Sequence, residues 1–201
     1  MKTSRIVTAA ALVTAFAVSS AFAQQPQTVP VVGQIEGIDG PTLVVKTAQG
    51  EARVNITPNV AVFGVVKATL ADVKPNSFIG VGATPQADGS QKAIRVMIFA
   101  ESQRGNGEGH RPWNRPGTTM TNATVDNTVA SVNGQVVMVK YKGGEQKIII
   151  GPDAAIMAYV NGDKSELKPG AHIAINAAVK KPDGSFEASR VNVGRGDVVP
   201  N

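Results

Sequence analysis

Three residues that could do chemistry lie together in the segment GEGHRPWNRPGTTMTN, residues 107–122. They are His110, Met120 and Trp113, which is the only tryptophan of the chain. Imidazole and thioether groups are ligands that suit Cu(I), and the face of an indole ring attracts a cation. The segment therefore predicts either a metal site or a structural connector, in which Trp113 is a hydrophobic plug between two prolines.

The metal interpretation has a parallel in the small periplasmic copper chaperone of a bacterial efflux system, an OB-like barrel with histidine and methionine ligands under a tryptophan. The segment resembles that site but departs from it, because the chaperone carries its ligands on barrel strands and has paired methionines. Met97 and His172 lie on outer strand faces and complete a site only if the loop folds over them. The candidate ligands for a copper ion are His110, Met120, Met97 and His172.

The structural interpretation starts from the outer face of one predicted barrel. Strand alternation points Phe78, Met97 and Phe99 outward, and three large apolar groups on one face need a cover. The second barrel, the central loop or another protein could provide it, and we expect the loop or the second barrel. The residues predicted to form this structural clasp or interaction surface are Trp113, Phe78, Phe99 and Arg111.

The first 23 residues have the pattern of a secretory signal peptide. Lys2 and Arg5 give a positive start, and residues 6–18 form an apolar run too short to span a bilayer. Residues 21–23, Ala-Phe-Ala, supply a small-x-small cleavage site. We expect cleavage after Ala23, export to the periplasm and no stable membrane insertion of the mature protein.

Composition excludes several function classes. The sequence has no cysteine, so disulfides, lipid attachment to cysteine, thiolate metal sites and cysteine nucleophiles are excluded. Without Lys2 and Arg5, 18 basic and 15 acidic residues give a net charge of only +3, and no series of aromatic residues accompanies the basic ones, which argues against nucleic-acid binding. No Ser-His-Asp or paired-carboxylate arrangement is recognisable, so we expect no catalysis.

The sequence repeats itself at an offset of 94 residues. Turn residues, apolar positions and charged residues coincide over about 65 positions, which predicts two copies of one fold. Arg95 coincides with Arg190 in this alignment. The aligned segments are 37–63 with 131–157, 72–81 with 166–175 and, after one inserted residue, 88–98 with 183–193.

Each copy reads as β-structure, because its segments are short, rich in valine and isoleucine, and bounded by Asp-Gly, Asn-Gly, Gly-Gly or proline turns. Thr69–Asp72 and Asp163–Glu166 each predict one helical turn with an N-cap residue and an acid three positions later. Alternation places Ile79, Val81, Val96 and Ile98, with Ile173, Ile175, Val191 and Val193, inside the barrels. The predicted strands are 31–38, 42–48, 51–56, 60–66, 77–84, 91–99, 125–132, 135–141, 145–150, 155–160, 171–179 and 185–193.

The turn and core residues resemble those of a family of exported bacterial small β-barrel domains of unknown function, with an OB-like shape. The pattern comprises VVGQIEGIDG at 31–40, the turns DVKPN and ELKPG, and the final segments DGSQKAIRV and DGSFEASRV. It covers most of residues 31–99 and 125–193. The resemblance implies a fold and an envelope location, and it implies no activity.

The sequence therefore predicts an all-β protein of two tandem OB-like barrels related by duplication. The predicted function is a non-catalytic periplasmic binding or interaction module of the bacterial envelope, without a cofactor and with an envelope protein or polymer as partner. The alternative is a periplasmic metal-binding protein that holds copper. The predicted parts are a signal peptide (1–23), a flexible N-terminus (24–30), a first barrel (31–99), a connecting loop (100–123), a second barrel (124–194) and a tail (195–201).

Overall fold

The computed structural model describes residues 27–131 and 134–200, and the predicted signal peptide at 1–23 lies outside the described residues. The described chain is all-β with three 3-10 turns, Leu70–Asp72, Glu101–Gln103 and Lys164–Glu166. Within these ranges, no helix has the length and apolar composition to cross a membrane. The strands are β1 (Thr28–Asp39), β2 (Thr42–Thr47), β3 (Gly50–Lys67), β4 (Phe78–Pro85), β5 (Gln91–Ile98), β6 (Gly109–Pro112), β7 (Thr119–Ser131), β8 (Gly134–Tyr141), β9 (Gly144–Ile150), β10 (Ala155–Asn161), β11 (His172–Lys180) and β12 (Phe186–Gly194).

The predicted turn at Asp39-Gly40 and the two predicted capped turns are present. Gly40 is the first residue of the two-residue turn between β1 and β2 and has φ of 56°, a conformation that glycine adopts without steric cost. The backbone N–H of Thr69 donates to Oδ2 of Asp72 at 2.8 Å, and that of Asp163 donates to Oε1 of Glu166 at 2.9 Å. These carboxylates cap two of the 3-10 turns, so local backbone hydrogen bonding explains both acidic pairs.

The predicted strands are confirmed to within a few residues, with differences at β1, β3 and the connecting loop. β1 begins at Thr28, inside the segment predicted to be flexible, and β3 is one strand where two were expected. Pro58 is tolerated in β3 because it falls where the register with β12 shifts, so it removes no ladder hydrogen bond. The predicted loop contains β6 and the start of β7, which pair with each other.

Five strands close the first ring in the order β1, β2, β3, β12, β11. Neighbours are antiparallel except β3 and β12, which are parallel. Its core draws on both ends of the chain: Ile35 and Val54 pack in one cluster with Ile173, Ile175 and Val191. The closed five-stranded β-barrel is thus built from distant parts of the sequence.

The second ring contains β7, β8, β9, β5 and β4 in that order. Its neighbours are antiparallel except β9 and β5, which are parallel and pair over two residue positions. Ile79 and Val96 from the first half of the chain pack there with Val137 and Ile148 from the second half. The predicted interior positions are therefore core positions, but those of the two copies lie in different rings.

The prediction that residues 31–99 and 124–194 form separate, contiguous barrels is not confirmed. β1 to β3 close with β11 and β12, and β4 and β5 close with β7 to β9. Both rings therefore combine strands from the first and the second half of the chain. β10 then joins the rings, antiparallel to β3 and parallel to β5.

Candidate binding groove between the rings

A groove of about 370 Å³ is lined by residues of both rings, of β10 and of the segment that follows β6. We call it the interring groove and define it by its lining residues. The described residues that line it are Pro30, Val32, Gly80, Arg95, Met97, Phe99, Arg111, Trp113, Asn114, Met120, Asn122, Tyr159 and Asn176.

A larger depression of about 500 Å³ lies on the first ring, where β2 and β3 meet the turn at 183–185. Its polar lining includes Glu51, Arg53 and Asp183. None of the side chains singled out from the sequence borders it, whereas five of them border the interring groove. The interring groove is therefore the candidate functional site.

The groove collects two of the four candidate metal ligands. Met97 on β5 and Met120 on β7 line it together with Trp113. His172 lies on β11 opposite Gln34 and is not among the lining residues. The structure thus brings both thioethers to the tryptophan, on strands rather than in an irregular loop.

His110 faces away from this groove. Its Nδ1 lies 2.8 Å from Oγ1 of Thr121, and its ring stacks on that of Tyr141 with centroids 6.4 Å apart. Successive residues of a strand point to opposite faces, so Thr121 and Met120 lie on opposite sides of β7. His110 and Met120, which the sequence predicts as ligands of one site, therefore lie on opposite sides of the strand. Among the described residues, no group of three or more His, Cys, Asp or Glu side chains could hold a metal.

Trp113 packs on the backbone of the second ring. A Cβ at Gly82 would lie 2.5 Å from Cζ3 of the indole, so only glycine permits this close approach. The guanidinium carbons of Arg95 and Arg115 lie 5.2 and 5.6 Å from the ring centroid, within cation-π distance. The backbone N–H of Trp113 donates to the backbone carbonyl of Thr118 at 3.0 Å. These contacts hold the segment after β6 against β4.

A row of aromatic rings covers the outer face of β4 and β5. Phe78 is only 2% exposed, and its ring meets that of Phe99 edge-on with centroids 5.3 Å apart. Phe99 meets Tyr159 of β10 at 5.5 Å, and Tyr159 meets Phe63 of β3 at 6.3 Å. The cover of the apolar face is thus intramolecular, and it comes from the strand that joins the rings.

Asn122 carries an unsatisfied acceptor at the wall of the groove. The side chain is 7% exposed, and its Nδ2 donates to the carbonyl of Asn106 at 2.9 Å. This bond fixes the amide orientation, and Oδ1 is left buried without a hydrogen-bond partner among the described residues. A Cβ at Gly80 would lie 2.9 Å from that oxygen. A buried acceptor without a donor is costly and is often satisfied by a ligand or a water molecule.

The groove is positively charged. Arg95 and Arg111 line it, and no carboxylate is among its lining residues in the described chain. Burial lowers the pKa of Arg95, the charge of Arg115 acts in the same direction, and Tyr159 opposes both. Arginine stays protonated at neutral pH even so, and the groove therefore presents fixed positive charge.

Arg95, Asn122 and Tyr159 are among the groove residues that sequence reasoning did not select as site residues. The sequence signal for Arg95 is its coincidence with Arg190 in the repeat. Tyr159 stands where the first copy has Val65, and an aromatic residue in place of an aliphatic one could have marked it. Asn122 lies between the two sets of aligned segments and carries no such signal.

Comparison of the chain with known protein families, with characterised proteins and with solved structures gave no match. The functional conclusion therefore depends on the groove and on the sequence.

Proposed function

We propose that the protein is a non-catalytic binding module of the bacterial envelope and that its ligand occupies the interring groove. The observation that carries the proposal is the convergence of Trp113, Met97, Met120 and Arg111 with the unpartnered amide oxygen of Asn122. Binding pockets typically combine an apolar wall with a few polar groups that fix the orientation of the ligand. Guanidinium, carboxamide, thioether and aromatic groups are suited to binding rather than to acid-base chemistry.

The size of the groove bears on the kind of ligand. About 370 Å³ is near the lower end of the range for small-molecule pockets. The groove would therefore take a small molecule or one unit of an envelope polymer. The periplasmic location in this proposal rests on the predicted signal peptide with cleavage after Ala23.

We propose in addition that the rings are OB-like barrels of one duplicated unit that exchange their last two strands. Each ring has five strands with a single parallel pairing, which joins β3 to β12 in the first ring and β9 to β5 in the second. The capped turns Leu70–Asp72 and Lys164–Glu166 lie 94 residues apart, which is the offset of the sequence repeat. Loops and faces of OB-like barrels commonly bind extended ligands.

Filling the groove tests the binding proposal. Val32 lines the groove and Ile94 does not, and both side chains are 37% exposed. Val32→Phe should fill the groove without disturbing a core, and Ile94→Phe is the matched control. The probes are 2-naphthylacetate and 2-naphthylacetamide, and the readout is the NMR signal of the single indole N–H.

We expect at least one probe to shift the Trp113 signal in the wild type and in Ile94→Phe. Val32→Phe should weaken this binding at least about tenfold, since an added ring occupies the site. The proposal fails if neither probe shifts the signal, or if Val32→Phe binds as tightly as Ile94→Phe.

Copper binding is a second candidate, favoured by the two methionines that share the groove with Trp113. Two thioethers and an indole face suit Cu(I), whereas the nearby arginines repel a cation. On this candidate, Cu(I) under reducing conditions quenches Trp113 fluorescence at one ion per chain, and Met120→Ala abolishes the effect. His110→Ala is the control that should leave the titration unchanged, because His110 faces Thr121. No saturable quenching would reject this candidate.

A further inference from the structure

We propose that the ligand of the interring groove carries a carboxylate or phosphate group, bound by Arg111 and Arg95, and an N–H or O–H donor for Asn122. This inference rests on the proposed binding function and names the chemical class of the ligand. It depends on three features of the groove: its cations, its unpartnered acceptor and its apolar wall.

Arg111 is the cation best placed to receive an anion. It lies on β6 opposite Met120, its side chain is exposed, and its Nη1 donates to the carbonyl of Gly107 at 2.8 Å. No carboxylate of the described chain forms an ion pair with it. A guanidinium has five N–H donors in a planar fork, and this arrangement matches carboxylate and phosphate oxygens. Arg111 is thus oriented by one bond and retains donors for a ligand.

Arg95 places a second positive charge at the same groove. Its guanidinium is held near the ring of Trp113, with that of Arg115 near the same ring. Like charges at such a site repel one another, and a bound anion reduces that repulsion. The indole therefore acts as a support that gathers guanidinium groups, rather than as an open face for a cation.

Asn122 and the apolar wall define the rest of the ligand. Oδ1 of Asn122 can only accept a hydrogen bond, so the complementary ligand atom is a donor. Met97, Phe99 and Met120 form an apolar wall in the same groove. A flat or apolar body with one anionic end and one donor fits these groups together.

Probes with the same naphthyl body and different charges test this inference. They are 2-naphthylacetate, 2-naphthyl phosphate, the neutral 2-naphthylacetamide and the cationic 2-(2-naphthyl)ethylamine, each titrated against the full mature protein with the Trp113 indole signal as readout. We expect the anions to bind at least about tenfold more tightly than the amide, and the amine to give no saturable shift. The tighter of the two anions assigns the ligand as a carboxylate or a phosphate.

Arg111→Gln should weaken binding of the tighter anion by roughly tenfold or more and leave the amide unchanged, because a charge-assisted hydrogen bond is lost. Lys92→Gln removes an exposed cation of β5 outside the groove and is the matched control. The inference is overturned if the amide binds as tightly as the anions, or if Arg111→Gln has no effect. If the amide binds as tightly as the anions and Val32→Phe removes that binding, the proposed function stands and only the anionic class fails; if no probe binds, both fail.

Discussion

Two corresponding arginines have opposite surroundings on the two sides of the molecule. Arg95 on β5 and Arg190 on β12 coincide in the sequence repeat, and each lies on a strand with a parallel partner. Arg95 borders the interring groove next to Trp113. Arg190 is covered by Gln103, whose side chain is only 1% exposed. The same framework thus has one open side and one filled side.

On the filled side, hydrogen bonds and aromatic rings surround the guanidinium of Arg190. With its amide oxygen turned toward Arg190, Gln103 accepts from both terminal nitrogens at 2.5 and 3.2 Å, and Nε of Arg190 donates to Asn192 at 3.3 Å. The guanidinium carbon lies 4.7 Å from the ring centroid of Phe63 and 5.0 Å from that of Tyr159. Burial lowers the pKa of Arg190, with Tyr159 opposing this change. Arg190 is therefore a structural residue.

The segment 100–123 is what distinguishes the open side from the filled side. Its turn Glu101–Gln103 fills the side of Arg190, and its Trp113 packs beside Arg95 without filling the groove. The strand pairing is equivalent on both sides. β3 and β10 are antiparallel to each other, and each has one parallel neighbour, β12 for β3 and β5 for β10. The interring groove thus lies where the segment after β5 leaves the side of Arg95 open.

Separating the two halves of the chain should have the largest effect, because each ring contains strands from both halves. We expect residues 27–105 alone to lack a folded ring, since β1 and β3 lose β11 and β12. Mixing them with residues 106–200 should restore both rings. Dispersed amide NMR signals and protection from hydrogen exchange measure the folded state.

A full chain cleaved after residue 105 once folded is the control, and it should stay assembled. A dispersed, protected spectrum from residues 27–105 alone would instead support two contiguous barrels. It would also remove the comparison between the open and filled sides.

Gln103→Ala sharpens the comparison at the filled side. Loss of the buried amide leaves the Arg190 guanidinium short of an acceptor, so we expect the free energy of unfolding to fall by about 1–3 kcal/mol. Asn114→Ala, an exposed change at the groove, should cost less than about 0.5 kcal/mol. Urea denaturation of both variants measures the difference, and equal losses would show that the two sides are not distinct.

Much of the local structure follows from the sequence. Ile79, Val81, Ile173 and Val191 are core residues, as alternation predicts, because strand periodicity is a local property. The Thr69 cap is equally local, since it needs only one acid three residues away.

The strand order of the two rings and the groove depend on contacts that no local pattern specifies. β4 can pair with β7 or with β1 under the same apolar alternation, so the pattern does not choose between them. Asn122 and Tyr159 become neighbours of Trp113 only through that choice. The sequence alone places His110 in one loop with Met120, whereas the pairing of β6 with β7 turns the two side chains to opposite faces.

The smallest predicted effect compares the two capped turns at acid pH. Hydrogen bonds from Arg195 hold the pKa of Glu166 below its usual value, and the Asp163 N–H adds to this, against the opposing effects of burial and of the Asp163 charge. The Thr69 backbone N–H chiefly lowers the pKa of Asp72. A carboxyl group whose pKa is lower in the folded state than in the unfolded state stabilises the protein at pH values above its unfolded-state pKa. This contribution is lost as the pH falls through the folded-state pKa.

We therefore expect the free energy of unfolding to decline as the pH drops below about 4.5, the ordinary value for a glutamate. Glu166→Gln should lower stability at pH 7 by under about 1 kcal/mol and reduce this decline, because an ion pair at the surface contributes little. Asp72→Asn should reduce the decline less, since no arginine bonds that carboxylate, and the exposed Glu145→Gln is the control. Urea denaturation at pH 7 and pH 3 gives the comparison. If Asp72→Asn flattened the pH dependence more than Glu166→Gln, the Arg195 bonds would not be what distinguishes the two caps.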